Sequence, residues 1–236
     1  MKTIHLISAG AAQSLATQLK APFEAQHDCS ISTTFGAVGI MKDRLLGGAP
    51  CDVLIITEAL ITQMVVSGDI MAGTARTLGP VKTGVSVKTG EPHPDVSTPA
   101  ALTAALKVAK GIYFPDPVKS TAGIHFMQVL NELGLHDELA DRLRPFPNGA
   151  TAMKAMAAST EAGLLGCTQL TEILYTEGVA LVAPLPIEFE LATVYSAGVC
   201  TRAGEPALAL QLIERLAGPE SAALRSACGF ETDQAA

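Results

Sequence analysis

Apolar positions along the chain follow two alternating patterns. Short apolar runs, some strictly alternating with polar residues, are typical of β-strands, whereas apolar residues that recur every three or four positions are typical of helices. The predicted strands are "TIHLIS", "SISTTF", "DVLIIT", "GIYF", "LLGCT" and "ALVAPL". Because helical stretches separate these runs, the sequence predicts an α/β protein with mostly parallel sheets.

Capping signals define the ends of several predicted helices. Thr98 is placed to cap a helix that has Pro99 in its first turn, and Gly47-Gly48 ends the helix that follows Gly36. Two further predicted helices lie in "STAGIHFMQVLNELG" and in the tail from residue 206 to about 227. In the first predicted helix, Pro22 is expected to kink or shorten the helix.

Four turns rich in small residues lie between a predicted strand or extended segment and a helix. They are "SAGAA" at 8–12, "FGAVG" at 35–39, "KSTAG" at 119–123 and "PNGAT" at 147–151. At such turns free N–H groups and the helix dipole attract anions, and small residues let an anion approach the backbone. The set predicts an anion site, although ordinary short βα loops remain the alternative. The predicted binding residues are Ser8, Ala9, Gly10, Ala11, Gly36, Ala37, Val38, Lys119, Ser120, Thr121, Asn148, Gly149 and Gln169.

Composition excludes several classes of function. The net charge of −7, the 4% aromatic content and the absence of Trp argue against a nucleic-acid-binding surface. No apolar run approaches the ~18 residues of a membrane span, so no membrane insertion is expected. The five cysteines are odd in number and scattered, which predicts buried reduced thiols and neither a zinc site nor a complete disulfide framework. We expect no metal and no cofactor.

The first residues resemble a secretion signal only superficially. The apolar stretch from Ile4 to Ile7 is interrupted by His5 and is shorter than the roughly 7 residues of a signal core. This pattern favours a first strand and a cytoplasmic protein, or a periplasmic one if a leader has been removed.

"SAGAAQSL" and the segment "FGAVGIMKDRLLGGAPCDVLIIT" resemble the molybdate-binding branch of the periplasmic solute-binding proteins. That resemblance covers nearly the whole chain and implies a two-lobed type II α/β fold with a ligand cleft between the lobes. By analogy, one lobe holds residues 1–80 plus 196–236 and the other holds residues 81–195. Ser8 matches the first oxyanion-binding serine of that branch, and a helix cap is the alternative role for this residue.

Two departures from the branch argue against molybdate as the ligand. Val38 stands where the family places a hydroxyl, and Gly166-Cys167 stands where it places a Tyr followed by Ser or Lys. A buried oxyanion that loses a hydrogen-bond donor is destabilised by about 1–3 kcal/mol. The pattern "GCTQLTEI…VALVAPLP…TVYSAGV" is closer to a divergent group that includes aconitate isomerase, which implies a polycarboxylate ligand.

Few polar residues are candidates for acid–base chemistry. His125 lies on a polar helical stripe and is the candidate catalytic base, with a plain surface histidine as the alternative. Lys119 is a candidate carboxylate ligand or a solvated side chain, and Gln169 is expected to hold a carboxylate by its amide. For Glu172 a dipole-favoured helix position is preferred over a cleft acid, and core packing is preferred for Cys167.

Two functions follow from these residues and the resemblance. The first is an isomerase that binds a small polycarboxylate in the interlobe cleft and moves an allylic proton. The second is a non-catalytic binding protein for a small carboxylate or a molybdate-like oxyanion, with an ABC transporter permease as its partner.

Overall fold

The computed structural model describes residues 2–231. The chain divides into two compact units: unit 1 contains the chain up to Pro80 and the segment from Thr193 onward, and unit 2 contains Val81–Ala192. Unit 2 is thus inserted in the sequence of unit 1. The chain enters it along β4 (Arg76–Lys88) and returns along β9 (Ala192–Val199). The second boundary falls at 192/193 rather than at 195/196.

Unit 1 is built on a mixed sheet with the strand order β2-β1-β3-β9. Strand β1 (Lys2–Ala9) pairs in parallel with β2 (Cys29–Gly36) and β3 (Val53–Thr57), and β9 runs antiparallel to β3. The helices of this unit are α1 (Gln13–His27), α2 (Val38–Leu46), α3 (Glu58–Ser67), α9 (Pro206–Ala217) and α10 (Ala222–Ala227). Its core includes the fully buried strand residues Val53–Ile56.

Unit 2 has the strand order β4-β7-β5-β6, with β8 paired to β4. Strand β5 (Gly111–Pro115) is parallel to β6 (Leu143–Phe146) and β7 (Leu164–Gln169), whereas β7 and β8 (Val179–Pro184) run antiparallel to β4. Its helices are α4 (Pro99–Val108), α5 (Thr121–Glu132), α6 (His136–Leu139), α7 (Gly149–Ala158) and α8 (Leu170–Tyr175). Phe114 and Phe126 pack together in the main core of this unit.

The predicted capping signals agree with the observed helix ends. Thr98 accepts a hydrogen bond from the amide of Ala101 at 3.1 Å, and Pro99 is the first residue of α4. Helix α2 ends at Leu46, directly before the glycine pair. These local signals are confirmed because each satisfies a backbone group at a helix end.

Three local expectations are wrong or incomplete. Helix α1 continues through Pro22, since its buried stripe, which includes Leu19 and Phe23, holds the helix across the missing hydrogen bond. The tail is not one helix, because Gly218-Pro219 separates α9 from α10. Strands β4, β6 and β9 are absent from the predicted set of strands.

Asp52 joins three segments of unit 1. Its carboxylate is buried and accepts hydrogen bonds from the backbone amides of His5 at 2.6 Å and Gly204 at 2.7 Å. A weaker bond comes from the amide of Glu205 at 3.3 Å, and His5 Nδ1 lies 3.2 Å away. The carboxylate therefore ties β1 and the loop before α9 to the start of β3.

Replacing Asp52 by asparagine is expected to lower the free energy of unfolding by about 1.5–3 kcal/mol. One carboxylate oxygen becomes an amide that faces backbone N–H groups and cannot accept their hydrogen bonds. Urea unfolding monitored by circular dichroism measures the change. The control is Asp137→Asn, whose side chain is fully exposed and whose midpoint should not move; an equal effect in both variants would contradict the role of Asp52.

Candidate functional site

In unit 1 the first two predicted turns lie side by side. Ala9 pairs with Gly36 at the ends of β1 and β2, and Ser8 pairs with Ile55 of β3. Because the three strands are parallel, their carboxyl ends meet at one edge of the sheet. The structure therefore brings together the predicted residues 8–11 and 36–38.

The helices that start at this edge lack side-chain caps. Ala9 precedes the 3-10 turn Gly10–Ala12 and Ala37 precedes α2, and neither position has a side chain that accepts from the following amides. Ser8 is fully buried, and its hydroxyl donates to the Ala9 carbonyl at 2.9 Å. The alternative role of Ser8 as a helix cap is therefore wrong, and the helix amides have no side-chain acceptor from these cap positions.

Val38, the first residue of α2, is buried. It contributes a backbone amide and an apolar side chain where the resembled branch has a hydroxyl. The turn can therefore offer N–H donors but no O–H donor from this position.

Sequence reasoning missed a polar cluster at the third turn of the same edge. Glu58, the first residue of α3, accepts hydrogen bonds from the hydroxyls of Thr77 at 2.5 Å and Ser196 at 3.2 Å. The position directly after a buried strand is the signal that could have identified Glu58. Its carboxylate gives this edge one negative group beside the uncapped amides.

In unit 2 the other predicted residues follow three neighbouring parallel strands. Pro115 of β5 pairs with Phe146 of β6, and Tyr113 of β5 pairs with Gly166 of β7. Ser120, Asn148 and Gln169 follow or end these strands and occupy the N-cap positions of α5, α7 and α8. The structure thus brings the predicted unit 2 residues to one edge of the unit 2 sheet.

His125 lies in the second turn of α5 and is half-buried. Its Nε2 lies 2.7 Å from the carbonyl oxygen of Phe189. A carbonyl only accepts hydrogen bonds, so Nε2 carries the proton and, in the neutral ring, Nδ1 keeps its lone pair. The His125 ring is therefore oriented by a backbone carbonyl, and its role as the catalytic base stays a prediction.

The turn before α5 is organised by Asp116. Its Oδ1 accepts from the amides of Val118 at 2.7 Å and Lys119 at 2.8 Å, while the Lys119 side chain is exposed. Ser120 is buried and makes no capping hydrogen bond, and Thr121 begins the helix. A Cβ at Gly123 would overlap the carbonyls of Pro115 and Asp116, so this glycine allows α5 to approach the turn.

Backbone amides at the start of α7 find their hydrogen-bond acceptors within the protein. Asn148 caps the helix by accepting from the Thr151 amide at 2.9 Å. Glu172 accepts from the Ala150 amide at 3.3 Å and from the Thr168 hydroxyl at 2.5 Å. A Cβ at Gly149 would overlap both Glu172 and Thr168, so Gly149 lets the buried carboxyl approach the helix. An external anion at α7 would have to compete with Glu172.

Glu172 lies in the first turn of α8, as expected, but its environment differs from that of an exposed helix-start residue. It is buried, and desolvation raises its pKa above the ordinary value of 4.5 although hydrogen bonds from Thr168, Ala150, Gly149 and Gln169 oppose the rise. Buried carboxyls of this kind are uncommon outside sites or hydrogen-bond networks. Thr168 lies near the end of β7 and Glu172 in the first turn of α8, so the sequence signal for this pair is a hydroxyl and a carboxyl on the two sides of a strand-to-helix turn.

The side-chain amide of Gln169 contacts the protein backbone rather than the predicted ligand carboxylate. It is buried, and with its amide oriented to satisfy its neighbours, its nitrogen donates to the carbonyls of Val81 at 3.1 Å and Lys82 at 3.2 Å. Both amide protons therefore bind β4. The prediction that Gln169 holds a carboxylate by this amide needs correction, because a carboxylate requires a donor.

All five cysteines lie within the described residues 2–231 and are buried. No cluster of three or more His, Cys, Asp or Glu side chains there is arranged to hold a metal ion. Cys167 is buried in the unit 2 core and burial raises the pKa of its thiol, in agreement with core packing. No helix in the described chain is long and apolar enough to cross a bilayer.

Glu172 predicts a specific pH dependence of stability. Since its pKa is raised in the folded state, the unfolded state loses its proton first, and stability falls as the pH rises above about 4.5 until the folded carboxyl has ionised. In Glu172→Gln this contribution is absent. The melting temperature of the variant relative to the wild type should therefore rise between pH 4 and pH 8, measured by differential scanning fluorimetry.

Glu177→Gln is the matched control, because Glu177 is exposed two residues after α8. Its difference from the wild type should be the same at every pH. A constant difference for Glu172→Gln would contradict the raised pKa, whatever the size of that difference.

Solved structures share the fold at low sequence identity. The periplasmic molybdate-binding protein of Azotobacter vinelandii superposes with a TM-score of 0.79 at 21% identity, covering 98% of this chain and 100% of that one. The sulfate-binding protein SubI from Mycobacterium tuberculosis H37Rv has a TM-score of 0.78 at 15% identity, covering 100% and 88%. The α/β type II periplasmic-binding-protein fold is therefore confirmed.

One relative in sequence is an enzyme rather than a binding protein. Aconitate isomerase of a Pseudomonas species is 26% identical over 183 residues, which are 77% of this chain and 68% of that protein. The predicted resemblance to the molybdate-binding-like branch and its divergent group is thus confirmed. The family model described as "Bacterial extracellular solute-binding protein" matches residues 4–231. The chain therefore belongs to the bacterial extracellular solute-binding protein family.

Proposed function

We propose that this protein binds a small polycarboxylate and isomerises it by moving an allylic proton. The observation that carries the proposal is the 26% identity to an aconitate isomerase over 77% of the chain. Membership of a solute-binding family supports the binding half of the proposal. The described side chains support the chemical half as follows.

Ligand binding relies on the uncapped turns at the unit 1 edge. Amides of the turn after Ala9 and of Val38 lack side-chain acceptors at their cap positions. An N-terminal helix dipole and free N–H groups favour a carboxylate there by local attraction, despite the net charge of −7. In unit 2, Ser120 and Thr121 at the start of α5 carry hydroxyls that also suit a carboxylate.

His125 is the proposed base. With Nε2–H fixed on the Phe189 carbonyl, Nδ1 takes a proton from the methylene carbon next to the double bond. The double bond moves by one carbon, and the same proton, carried by the imidazolium, is returned to the carbon at the other end of the allylic system. Positive amide dipoles near the carboxylates stabilise the negative charge that develops between the two steps.

A carboxylate fits this site better than molybdate. Val38 supplies no hydroxyl to a tetrahedral oxyanion, and Cys167 faces the unit 2 core. A planar carboxylate needs fewer donors on each group than a tetrahedral oxyanion. Gly166 likewise has no side chain with which to replace the Tyr of the resembled branch.

The second candidate is a receptor without turnover, for a carboxylate or a molybdate-like oxyanion, that works with an ABC transporter. It is favoured by the similar solved structures, which include a molybdate-binding and a sulfate-binding protein. The family's description as extracellular favours a location outside the cytoplasm for either function. Isomer analysis of a bound ligand distinguishes the two candidates.

The decisive experiment uses trans-aconitate and His125→Gln. Glutamine keeps an amide donor for the Phe189 carbonyl but has no basic nitrogen, so kcat should fall by about 100-fold or more. Ligand-induced thermal shifts should persist in the variant. Isomers are separated by chromatography, and His136→Gln, at the start of helix α6, is the control.

Each outcome has a defined meaning. Full turnover by His125→Gln would overturn the assignment of the base. Thermal shifts without any isomer in the wild type would replace the enzyme by the receptor.

The role of the Val38 amide has its own test in Val38→Pro. Ala37 has φ −65° and ψ 146°, which a following proline tolerates, and proline fits the first helical position. The change removes one N–H donor and should weaken ligand binding about 10- to 100-fold, as for a hydrogen bond to a charged group. Isothermal titration calorimetry measures the affinity.

Val38→Ala keeps the N–H group and serves as the matched control. It should bind within a few-fold of the wild type. Equal weakening in the alanine and proline variants would show that the side chain matters rather than the amide.

A further inference from the structure

Two cysteines of unit 1 are in direct contact. Cys51 lies just before β3 and Cys200 just after β9, and their sulfur atoms are 3.3 Å apart. They lie at the amino end of β3, the opposite end from the turns of the candidate site. Neither thiol takes part in the proposed reaction.

The backbone around the pair already holds the two residues together. Val53 pairs with Val199 across the antiparallel strands, and the amide of Cys200 donates to the carbonyl of Asp52 at 2.9 Å. A disulfide requires a sulfur–sulfur distance of about 2.05 Å, so the sulfurs need to approach by about 1.3 Å. Rotation of the two side chains can supply that movement without separating the strands.

A cavity gives small molecules access to the pair. Both cysteines line a cavity of about 560 Å³, together with Thr201 and Arg202. Cys51 is 7% exposed and Cys200 is 1% exposed. Cys51 is therefore the sulfur that an external reagent meets first, and the cation of Arg202 suits a reagent that carries carboxylates.

We propose that Cys51 and Cys200 form a redox modification site that is oxidised to a disulfide by a small external disulfide such as oxidised glutathione. The Cys51 thiolate attacks one sulfur of the external disulfide, which breaks its S–S bond and releases one thiol. Cys200 then attacks the Cys51 sulfur and releases the second thiol. Two protein thiols are oxidised, one external disulfide is reduced, and the two protons leave with the two released thiols.

The hydrogen bonding of the pair agrees with this order. Cys200 donates to the sulfur of Cys51, and this bond together with burial raises the pKa of the Cys200 thiol. Cys200 therefore keeps its proton while Cys51 reacts. Its position in contact with Cys51 then makes it the resolving thiol.

The other cysteines offer no such partner among the described residues. All five are free and buried, and Cys228 contacts the hydroxyl of Ser14 at 3.3 Å rather than a thiol. Cys167 is buried in unit 2. The structure thus favours one pairing out of the several that five cysteines allow.

The bond would close a loop of the chain that contains the whole of unit 2. Cross-links that close long loops restrict the unfolded chain most. Oxidation should raise the melting temperature by about 5 °C or more for a chain of this size.

The experiment incubates the full chain with oxidised glutathione at pH 8 and counts free thiols after denaturation. The five free thiols should fall to three, and a non-reducing peptide map should link the peptides of Cys51 and Cys200. In Cys200→Ser, Cys51 should retain one glutathionyl group, which intact-protein mass spectrometry detects. Cys167→Ser is the control and should still form the bond.

Three results would overturn the proposal. They are five free thiols in the treated wild type, a cross-link that involves another cysteine, and an unmodified Cys51 in Cys200→Ser. The wild-type peptide map stands by itself if a variant fails to fold. Since isomerase activity is not used as a readout, the result is independent of the proposed function.

Discussion

The helix N-termini of this protein require hydrogen-bond acceptors for their first backbone amides, and the arrangement of its turns depends on how these acceptors are supplied. The first amides of a helix have no partner within the helix, and a buried unpaired amide is costly. The chain meets this need in three ways. Thr98 and Asn148 cap with their own side chains, Glu172 reaches in from elsewhere in the sequence, and the turns after Ala9 and Ala37 have no side-chain cap.

These solutions separate structural turns from candidate binding turns. At α7 the N-cap side chain and a buried carboxyl occupy the helix start, so its glycine serves internal packing. In unit 1 the corresponding cap positions are Ala9 and Ala37, whose side chains cannot accept a hydrogen bond. Under the proposed function, the carboxylates of the ligand would supply the acceptors that these cap positions lack. The electrostatic preference is therefore local and compatible with an acidic chain.

Much of the fold could be predicted from the sequence because the helix-capping signals agree with the periodicity of the buried apolar residues. The Thr98-Pro99 start and the Gly47-Gly48 stop are decided within a few residues of chain. Pro22 shows the limit, since tertiary burial of one helix face outweighs a local helix breaker. Strand β4 was missed because it passes from one unit to the other and its pattern serves both.

For the candidate site, the sequence predicts which turns follow the ends of parallel strands, but not the contacts of individual side chains. Turns at 8–11 and 36–38 are brought together by parallel pairing, which the alternation of elements implies. The contacts of Gln169 and Glu172 depend on which distant backbone group each side chain meets. No short-range sequence pattern predicts these hydrogen bonds. The contact between Cys51 and Cys200 was not predictable for the same reason, since it follows from the antiparallel β3–β9 register.

The insertion of unit 2 within the sequence of unit 1 has a consequence for biosynthesis. Strand β3 cannot gain its neighbour β9 until the ribosome has translated the intervening segment, because Val53 pairs with Val199. Unit 2 is continuous in sequence and can collapse as soon as it leaves the exit tunnel. At that stage the sheet formed by the first eighty residues still lacks strand β9. The nascent chain therefore carries an open sheet edge for most of its synthesis, which is the interval in which a chaperone has the most reason to bind it.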